Sequence, residues 1–225
     1  MSATERRERE RTAQREGIVA AAIAIARKEG WREVTIRKIA DAIEYTAPII
    51  YEHFENKDAL LLELLRRGFR ALNERLRAAI REPSGTRNTI LLGAAAAMDF
   101  ATENPELYQV MHGLDGVPFG TPAAPAEARE AFSILRLAIE SWAREQDLKA
   151  HSSNDWTETV WALIHGFISL EMAHRLPGGT ARVKPLMLKA LGSLLSGWET
   201  GMRGTVRSKS MSQTPIGRLR RPLGK

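Results

Sequence analysis

The chain has 225 residues, of which 44% are hydrophobic, so it can bury one large core or two modest ones. It contains no cysteine, which excludes a disulfide framework and fits a reducing compartment. Apolar runs all fall short of the roughly 20 residues of a membrane span, and the charged N-terminus does not look like a signal peptide. We therefore expect no membrane association and a cytoplasmic location.

The net charge of +6 is unevenly distributed along the sequence. From position 201 onward there are seven basic residues and no acidic one, whereas residues 1–57 carry 11 basic and 10 acidic side chains. A basic tail alone supports only weak, nonspecific and salt-sensitive binding to nucleic acid. Any specific nucleic-acid site must therefore depend on where a few residues lie rather than on total charge.

The first 57 residues predict three helices. Residues 1–11 alternate arginine with glutamate and are interpreted as a frayed arm, whose arginines could follow phosphates but more simply neutralise their neighbours. Residues 12–29 form the first predicted helix, ended by Gly30. Thr35 is placed to cap a short second helix. Thr46 is placed to cap a third, with Pro48 in its first turn.

The third predicted helix has an unusual outer face. Ile50 and Phe54 are spaced to face a core, which leaves the intervening apolar and aromatic residues outside. Such a face is unusual on a helix that is exposed only to water. It suits a helix that enters a DNA major groove, because thymine methyls and base edges are read there.

This stretch resembles the N-terminal DNA-binding domain of the TetR (tetracycline-repressor) family. The resemblance rests on GWREVTIRKIADAI followed by APIIYEHFENKDALLLELL, and it covers residues 12–72, with the recognition motif at about 35–54. One departure is Glu44, which stands where the family usually has glycine in the turn. A left-handed residue there would be strained, so we expect a wider turn or a longer second helix.

The remaining sequence predicts six further helices and no strand. They lie at about 56–81, 86–102, 105–114, 125–149, 154–175 and 182–199. Residues 115–126 form a long connection, read either as a lid over a pocket or as a simple linker. The sequence therefore predicts an all-α chain of about nine helices, with a second domain at 73–200 and a disordered basic tail at 201–225.

The eighth predicted helix contains Trp161, His165 and Gly166 in WALIHGFISLEMAHRL. This is similar to a C-terminal domain of one TetR branch, marked by such a Trp, His and Gly. The two resemblances together imply a homodimeric regulator, interpreted as a repressor, that leaves a near-palindromic operator when it binds a small hydrophobic effector of unknown identity.

The N-terminal resemblance implies that double-stranded DNA is the partner. Arg37 would contact guanine, Ala47, Pro48 and Ile49 would contact thymine methyls, and others would hold phosphates. The full set of implied DNA-binding residues is Thr35, Arg37, Tyr45, Thr46, Ala47, Pro48, Ile49, Tyr51, His53 and Lys57.

The C-terminal resemblance implies a pocket and a dimer interface. The predicted pocket residues are Met98, Tyr108, Met111, His112 and Trp142. His112 is either the polar handle of an apolar site or an ordinary core histidine. The predicted interface uses helices eight and nine, through Trp161, His165, Gly166, Leu191 and Leu195.

An enzyme is not supported by the sequence. The five histidines lack metal-site spacing, and HExxH, GxSxG, P-loop and GxGxxG motifs are absent, so we expect no catalytic residue, metal or cofactor. The competing hypothesis is a helical ligand-binding or protein-interaction module that has lost operator binding. Glu44, the apolar reading face and the near-neutral N-terminal charge keep that hypothesis open.

Overall fold

A computed structural model of the chain describes residues 2–81, 84–113, 124–148 and 153–211, with side chains up to Thr200. Within these residues it has nine α-helices, a short 3-10 turn at Trp31–Glu33, and no strand. The helices are α1 (Ala3–Glu29), α2 (Ile36–Ala42), α3 (Ala47–His53), α4 (Lys57–Arg81), α5 (Thr86–Glu103), α6 (Pro105–His112), α7 (Ala126–Glu145), α8 (Ser153–Met172) and α9 (Gly179–Met211).

Two helices are longer than the sequence predicts. The frayed arm predicted at residues 1–11 is wrong, because α1 begins at Ala3. Ser2 and Glu5 form a capping box there: each side chain accepts a hydrogen bond from the other's backbone N–H. At the other end, α9 continues to Met211 through the first part of the predicted tail. The rest of that tail, and most of the connection predicted at 115–126, lie outside the described residues.

The turn between α2 and α3 is tight despite Glu44. Glu44 adopts φ +57°, the left-handed region that favours glycine. The Tyr45 N–H donates to the Ala40 carbonyl at 2.9 Å, and the Glu44 N–H donates to the Asp41 carbonyl. These two bonds close a Schellman cap. The expected wider turn or longer second helix is therefore wrong, and the chain accepts a strained residue instead.

A continuous core runs from the N-terminal helices into the C-terminal bundle. Ile18, Ile39 and Ile50 are fully buried, one each from α1, α2 and α3, and they belong to the same core as Leu61 and Leu64 of α4. Farther along, α4 packs against α5, α6 and α7. The 25 residues of α4 thus belong to both halves of the molecule.

Helix α6 crosses α4 very closely at Gly68. A Cβ at this position would overlap the Met111 Sδ and lie 2.9 Å from the Met111 Cγ. Both residues are buried, so the space cannot be regained by moving the methionine into solvent. Glycine is therefore what lets the short α6 lie against the middle of α4.

Among the described residues, no helix is long and apolar enough to cross a membrane.

Candidate DNA-binding surface and internal cavity

The outer faces of α2 and α3 remain largely open to solvent. The Arg37 side chain is 92% exposed and only loosely paired with Asp41 at 3.9 Å, one helical turn away. Tyr51 is 53% exposed although it is a large aromatic residue. The other predicted base and backbone contacts are exposed or partly exposed: Thr35, Tyr45, Thr46, Ala47, Pro48 and Ile49.

The two threonines at the starts of these helices differ. The Thr35 hydroxyl accepts a hydrogen bond from the Lys38 N–H at 3.2 Å, so it caps α2 as the sequence predicts. Thr46 occupies the N-cap position of α3, but its side chain makes no capping bond, which corrects the prediction that it caps this helix. Pro48 lies in the first turn, where a missing N–H costs little.

The other two predicted phosphate contacts are partly engaged within the chain. His53 Nε2 lies 3.2 Å from Gln14 Oε1 of α1. Burial, with help from Arg11 and Arg15, lowers the pKa of His53, so its ring is neutral at physiological pH. Lys57 Nζ donates to the Trp31 carbonyl at 3.3 Å. His53 can therefore offer DNA a neutral ring, and Lys57 a partly buried cation.

Arg15 anchors α3, a role that the sequence pattern did not reveal. Its guanidinium donates to the His53 carbonyl at 2.9 Å and lies 4.2 Å from the centre of the Phe54 ring. It also pairs with Glu63 of α4 at 3.3 Å. One side chain of α1 thus fixes the end of α3 against α4. The pattern gave no signal because an arginine among arginines looks like solvated surface.

The beginning of α1 lies beside the end of α3. Arg7, Arg11 and Gln14 line a shallow polar groove together with Glu52 and His53. Because α1 is helical from Ala3, these arginines are held next to the candidate DNA surface rather than on a frayed arm.

An internal cavity of about 80 Å³ lies within the C-terminal bundle and is partly open to solvent. It is smaller than most ligand sites in proteins, which commonly have roughly 300 Å³ or more. The walls come from α4, α5, α6, α7 and α8. The lining residues are Leu72, Leu76, Ile80, Thr89, Ile90, Gly93, Ala94, Ala97, Tyr108, His112, Ala131, Ile134, Leu135, Ala138, Trp161, Ile164 and His165.

One end of the cavity carries a three-residue polar cluster of Tyr108, His112 and His165. The Tyr108 hydroxyl lies 2.9 Å from His165 Nδ1, and His165 Nε2 lies 3.3 Å from the Ser169 hydroxyl. The His112 ring centre is 4.3 Å from that of Tyr108 and 4.7 Å from that of His165. The sequence predicted two members of this cluster as pocket residues.

All three groups of the polar cluster are held in their neutral forms. Burial, and secondarily His165, lowers the pKa of His112 to about 3. Burial also lowers the pKa of His165 and raises that of Tyr108. The cause is the same in each case, since a low-dielectric site disfavours the charged form. At physiological pH the cluster therefore offers hydrogen bonds but no net charge.

Three predicted pocket residues lie elsewhere. Met98 and Met111 are fully buried in the core, away from the cavity lining, and Met111 packs on Gly68. Trp142 stands among Trp156 and Trp198, and its indole N–H donates to Glu199 Oε1 at 3.2 Å. Helical spacing identified all three as inward-facing, but it could not separate the core from the cavity.

Four predicted interface residues are also used within the chain. Trp161 and His165 line the cavity instead of pointing outward. Leu191 and Leu195 are fully buried against the chain's own bundle, because they lie on the inner stripe of α9. Gly166 fits the prediction better, since a Cβ there would meet nothing within 4 Å.

A polar junction joins α1 to α6. Arg27 donates to both carboxylate oxygens of Glu106, and the buried Trp31 indole N–H donates to the Glu106 carbonyl at 3.1 Å. Burial is the largest single influence on the Glu106 carboxyl and raises its pKa, but the hydrogen bond from Arg27, a backbone hydrogen bond and the charge of Arg27 together lower the pKa below its ordinary value. Two residues farther along α6 is Tyr108, so this helix touches both the N-terminal domain and the cavity.

Two family models match separate parts of the chain. Residues 18–64 match bacterial regulatory proteins of the tetR family, and residues 90–191 match the tetracycline repressor-like C-terminal domain. The first covers the C-terminal part of α1, all of α2 and α3, and the beginning of α4. The second begins in α5 and ends within α9.

Two regulators are similar in sequence. An uncharacterized HTH-type transcriptional regulator from Mycobacterium tuberculosis, Rv0681, is 26% identical over 164 residues, which are 70% of each chain. Another from Bacillus subtilis, YobS, is 33% identical over 92 residues, which are 41% of this chain and 48% of that protein. Proteins of this class regulate transcription and are not enzymes.

Solved structures share the fold. A protein of unknown function from Rhodococcus sp. RHA1 superposes with a TM-score of 0.66 at 22% identity, covering 84% of this chain and 94% of that one. The TetR family transcriptional regulator PfmR from Thermus thermophilus gives 0.60 at 15% identity, covering 77% and 94%.

These matches agree with the helix-turn-helix surface and the all-α architecture. The chain belongs to the TetR family of bacterial regulatory proteins, and it is a DNA-binding transcriptional regulator.

Proposed function

We propose that the protein is a homodimeric repressor that binds a near-palindromic operator through α3 and is released by a small apolar effector in the internal cavity. As a transcriptional regulator that binds DNA, it acts in the cytoplasm. The DNA-binding part spans residues 12–72 and the effector-binding and dimerisation part residues 73–200. The observation that carries the proposal is the exposed Pro48 and Tyr51 face of α3, beside the open Arg37 of α2.

In this proposal α2 and α3 supply the contacts to bases, and α3 and the beginning of α4 supply the contacts to phosphates. Arg37 is long, charged and nearly free of intramolecular contacts, so it can form the forked pair with guanine O6 and N7. Pro48 and Ile49 offer only apolar surface, which suits thymine methyls. Tyr51 and Lys57 bind phosphates, and the N-terminus of α4 adds its own attraction for an anion.

The outward faces of α8 and α9 support a dimer. On α8, Ala162, Gly166 and Leu170 follow one another at four-residue spacing, and Leu170 is 47% exposed. On the adjacent α9, Leu186 is 39% exposed. The exposed leucines give a second copy of the chain apolar surface to bury, and the glycine lets a helix of that copy approach closely. The interface residues are thus Gly166 and its outward neighbours instead of Leu191 and Leu195.

A charge on this face tests the dimer. Leu170→Arg, with Leu186→Arg, should give a folded monomer in analytical ultracentrifugation, because each arginine would have to be buried against its counterpart. Leu137→Arg is the matched control, since Leu137 is 57% exposed on α7. A dimer that survives both changes on α8 and α9 would move the interface elsewhere.

Helix α6 is the proposed link between effector and DNA. Its eight residues include Tyr108 and His112 at the cavity, Met111 against α4, and Glu106 against α1. A ligand that displaces α6 therefore acts on both helices that carry the DNA-binding domain. The effector favours the arrangement it binds better, and that difference sets the loss of DNA affinity.

Glu106→Gln tests this link. The variant should still bind the effector but show a smaller ligand-induced loss of DNA affinity, because the charged Arg27 contact is weakened. Glu103→Gln is the control: it removes a carboxylate that pairs with Arg75 of α4 and does not reach α1. Equal ligand responses of the two variants would exclude the α1–α6 contact as the route.

A mobility-shift assay on the DNA upstream of its own gene tests DNA binding itself. The dimer should shift this DNA at low salt, and Tyr51→Phe with Lys57→Ala should abolish the shift while the circular dichroism spectrum is unchanged. A folded dimer that shifts no DNA at low salt would favour the competing function, a helical ligand-binding module without an operator.

A further inference from the structure

We propose that the effector is a neutral, largely apolar molecule with a single hydroxyl or carbonyl group, bound with that group against Tyr108 and His112. This inference rests on the proposed function, because it takes the internal cavity to be the effector site. It adds the chemical class and the orientation of the ligand.

The lining of the cavity excludes charged ligands. Among the described lining residues there is no lysine, arginine, aspartate or glutamate. A carboxylate would lose its hydration without gaining a cation, and an ammonium group would find no anion. His112 does not supply the missing charge for an acid, because its pKa of about 3 keeps the ring neutral. The two facing groups, Tyr108 and His165, are neutral as well.

The distribution of polar groups fixes where the ligand's hydrogen-bonding atom lies. Thr89 lines the cavity too, but its hydroxyl already donates to the Gly85 carbonyl at 3.1 Å within α5's first turn. The other polar side chains of the described lining are Tyr108, His112, Trp161 and His165, and they lie together, since the Trp161 ring centre is 5.9 Å from that of His112. Both ring nitrogens of His165 are already engaged, one with the Tyr108 hydroxyl and the other with that of Ser169. The polar atom of a ligand therefore meets the Tyr108 hydroxyl and the His112 ring. A neutral imidazole has one donor and one acceptor nitrogen, and a phenol can donate and accept. The cluster can thus satisfy either a hydroxyl or a carbonyl.

A second, outer groove lies on the far side of the same polar cluster. Tyr108, His112 and His165 line this groove as well, together with Gln109 and Ser169. The cluster is therefore a partition between the apolar cavity and a polar groove at the surface. A ligand with its polar atom at the partition has its apolar body among the small residues of α5 and α7, such as Ala94, Ala97 and Ala131.

Three compounds of matched shape test the ligand class: 4-butylphenol, butylbenzene and 4-butylbenzoate. Isothermal titration calorimetry with the full chain at pH 7.5 should give the tightest binding for 4-butylphenol. Its advantage over 4-butylbenzoate should be about tenfold or more, because the benzoate buries an unpaired charge. Its advantage over butylbenzene should be a few-fold, the usual gain from one neutral hydrogen bond.

Variants of the cluster locate the polar group. Tyr108→Phe and His112→Phe keep ring-sized side chains but remove hydrogen-bonding atoms, so at least one should reduce the preference for 4-butylphenol over butylbenzene. Thr102→Val is the control. It removes a hydroxyl of α5 that bonds to the Met98 carbonyl outside the cavity, and it should leave the preference as it is.

The outcomes separate this inference from the proposed function. Benzoate binding as tight as the phenol, no binding of any compound, or a preference unchanged in both cluster variants would overturn the ligand class. None of these results would contradict DNA binding, which the mobility-shift assay measures separately. Conversely, if 4-butylphenol binds in the predicted order but does not weaken DNA binding, the ligand class stands and the coupling to DNA fails.

Discussion

The candidate binding residues face solvent in the N-terminal half of the molecule and face the interior in the C-terminal half. Around α3 the candidate contacts face solvent, and ion pairs hold the scaffold behind them: Arg67 bridges Glu16 of α1 and Glu63 of α4. In the C-terminal half the candidate contacts face inward, and small residues such as Gly93 and Ala97 leave the space between helices. A surface that reads DNA needs rigid support, whereas an effector site needs unfilled volume.

The largest expected effect separates the two kinds of DNA contact. Arg37→Ala should lower affinity for the preferred sequence about tenfold or more and relax sequence preference, since a forked guanine contact is lost. Lys57→Ala should weaken binding to all sequences similarly and reduce the salt slope by about one, as for a phosphate contact. Competition mobility shifts at several salt concentrations measure both.

Lys28→Ala is the matched control for these variants. Lys28 is an exposed cation at the end of α1, next to the Arg27 that pairs with α6, and its loss should leave the sequence preference unchanged. If Arg37→Ala weakens binding equally for every sequence, Arg37 does not contact a base.

Two glycines test how closely the helices pack in different places: Gly68 of α4 lies at a tight crossing, and Gly93 of α5 lies beside open space. Gly68→Ala should destabilise the fold by about 1–3 kcal/mol, because its Cβ overlaps the buried Met111 where α6 crosses α4. Gly93→Ala should stabilise it by about 0.5–1 kcal/mol: the nearest atom to its Cβ is Leu76 Cδ2 at 3.9 Å, and alanine favours the helix. Urea unfolding of both variants measures the difference. Equal effects would mean that the α4–α6 crossing is not tight.

Acid should weaken the fold through His112. Its pKa is lowered from 6.5 to about 3 in the folded chain, so below pH 6.5 the unfolded state binds a proton that the folded state does not. Stability is therefore lost as pH falls, by up to about 1.4 kcal/mol per unit from this group. Between pH 6.5 and 5, His112→Phe should flatten the fall in unfolding free energy, while His53 and His165 still contribute to it. An unchanged slope would contradict the neutral polar cluster.

The strained turn between α2 and α3 gives a small expected effect. Glu44→Gly should stabilise the fold by about 1 kcal/mol, because glycine adopts φ +57° without the penalty that a glutamate has. Asp147 at the end of α7 has the same conformation, φ +53°, but aspartate tolerates it better. Asp147→Gly should therefore gain less. A loss of stability at position 44 would mean that the glutamate side chain compensates for the strain.

The sequence predicted which residues of α3 are exposed better than it predicted which residues of the bundle line the cavity, for a physical reason. Ile50 of α3 and Phe54, which directly follows the helix, identify the buried stripe, so Tyr51 is expected on the exposed side. In the C-terminal bundle both core and cavity lie on buried stripes, and periodicity cannot tell Trp142 in the core from His165 at the cavity. Only the three-dimensional packing of five helices separates them.

Two further features depended on contacts that no local pattern contains. Arg15 anchors α3 from 38 residues away, and its role is visible only once α1 lies beside α3. The left-handed Glu44 is the other case. Sequence rules predict that the chain avoids such strain, but the close packing of α2 and α3 keeps the turn tight.

Photo-crosslinking from position 51 tests the central claim most directly, namely that the exposed face of α3 contacts DNA. A p-azidophenylalanine is close in shape to tyrosine and can replace Tyr51, with the same replacement at the exposed Leu137 of α7 as the control. With DNA from upstream of its own gene, crosslinks should form from position 51 and not from position 137. If both variants bind this DNA but only the one with the azide at position 137 crosslinks, the assignment of α3 as the reading helix is contradicted.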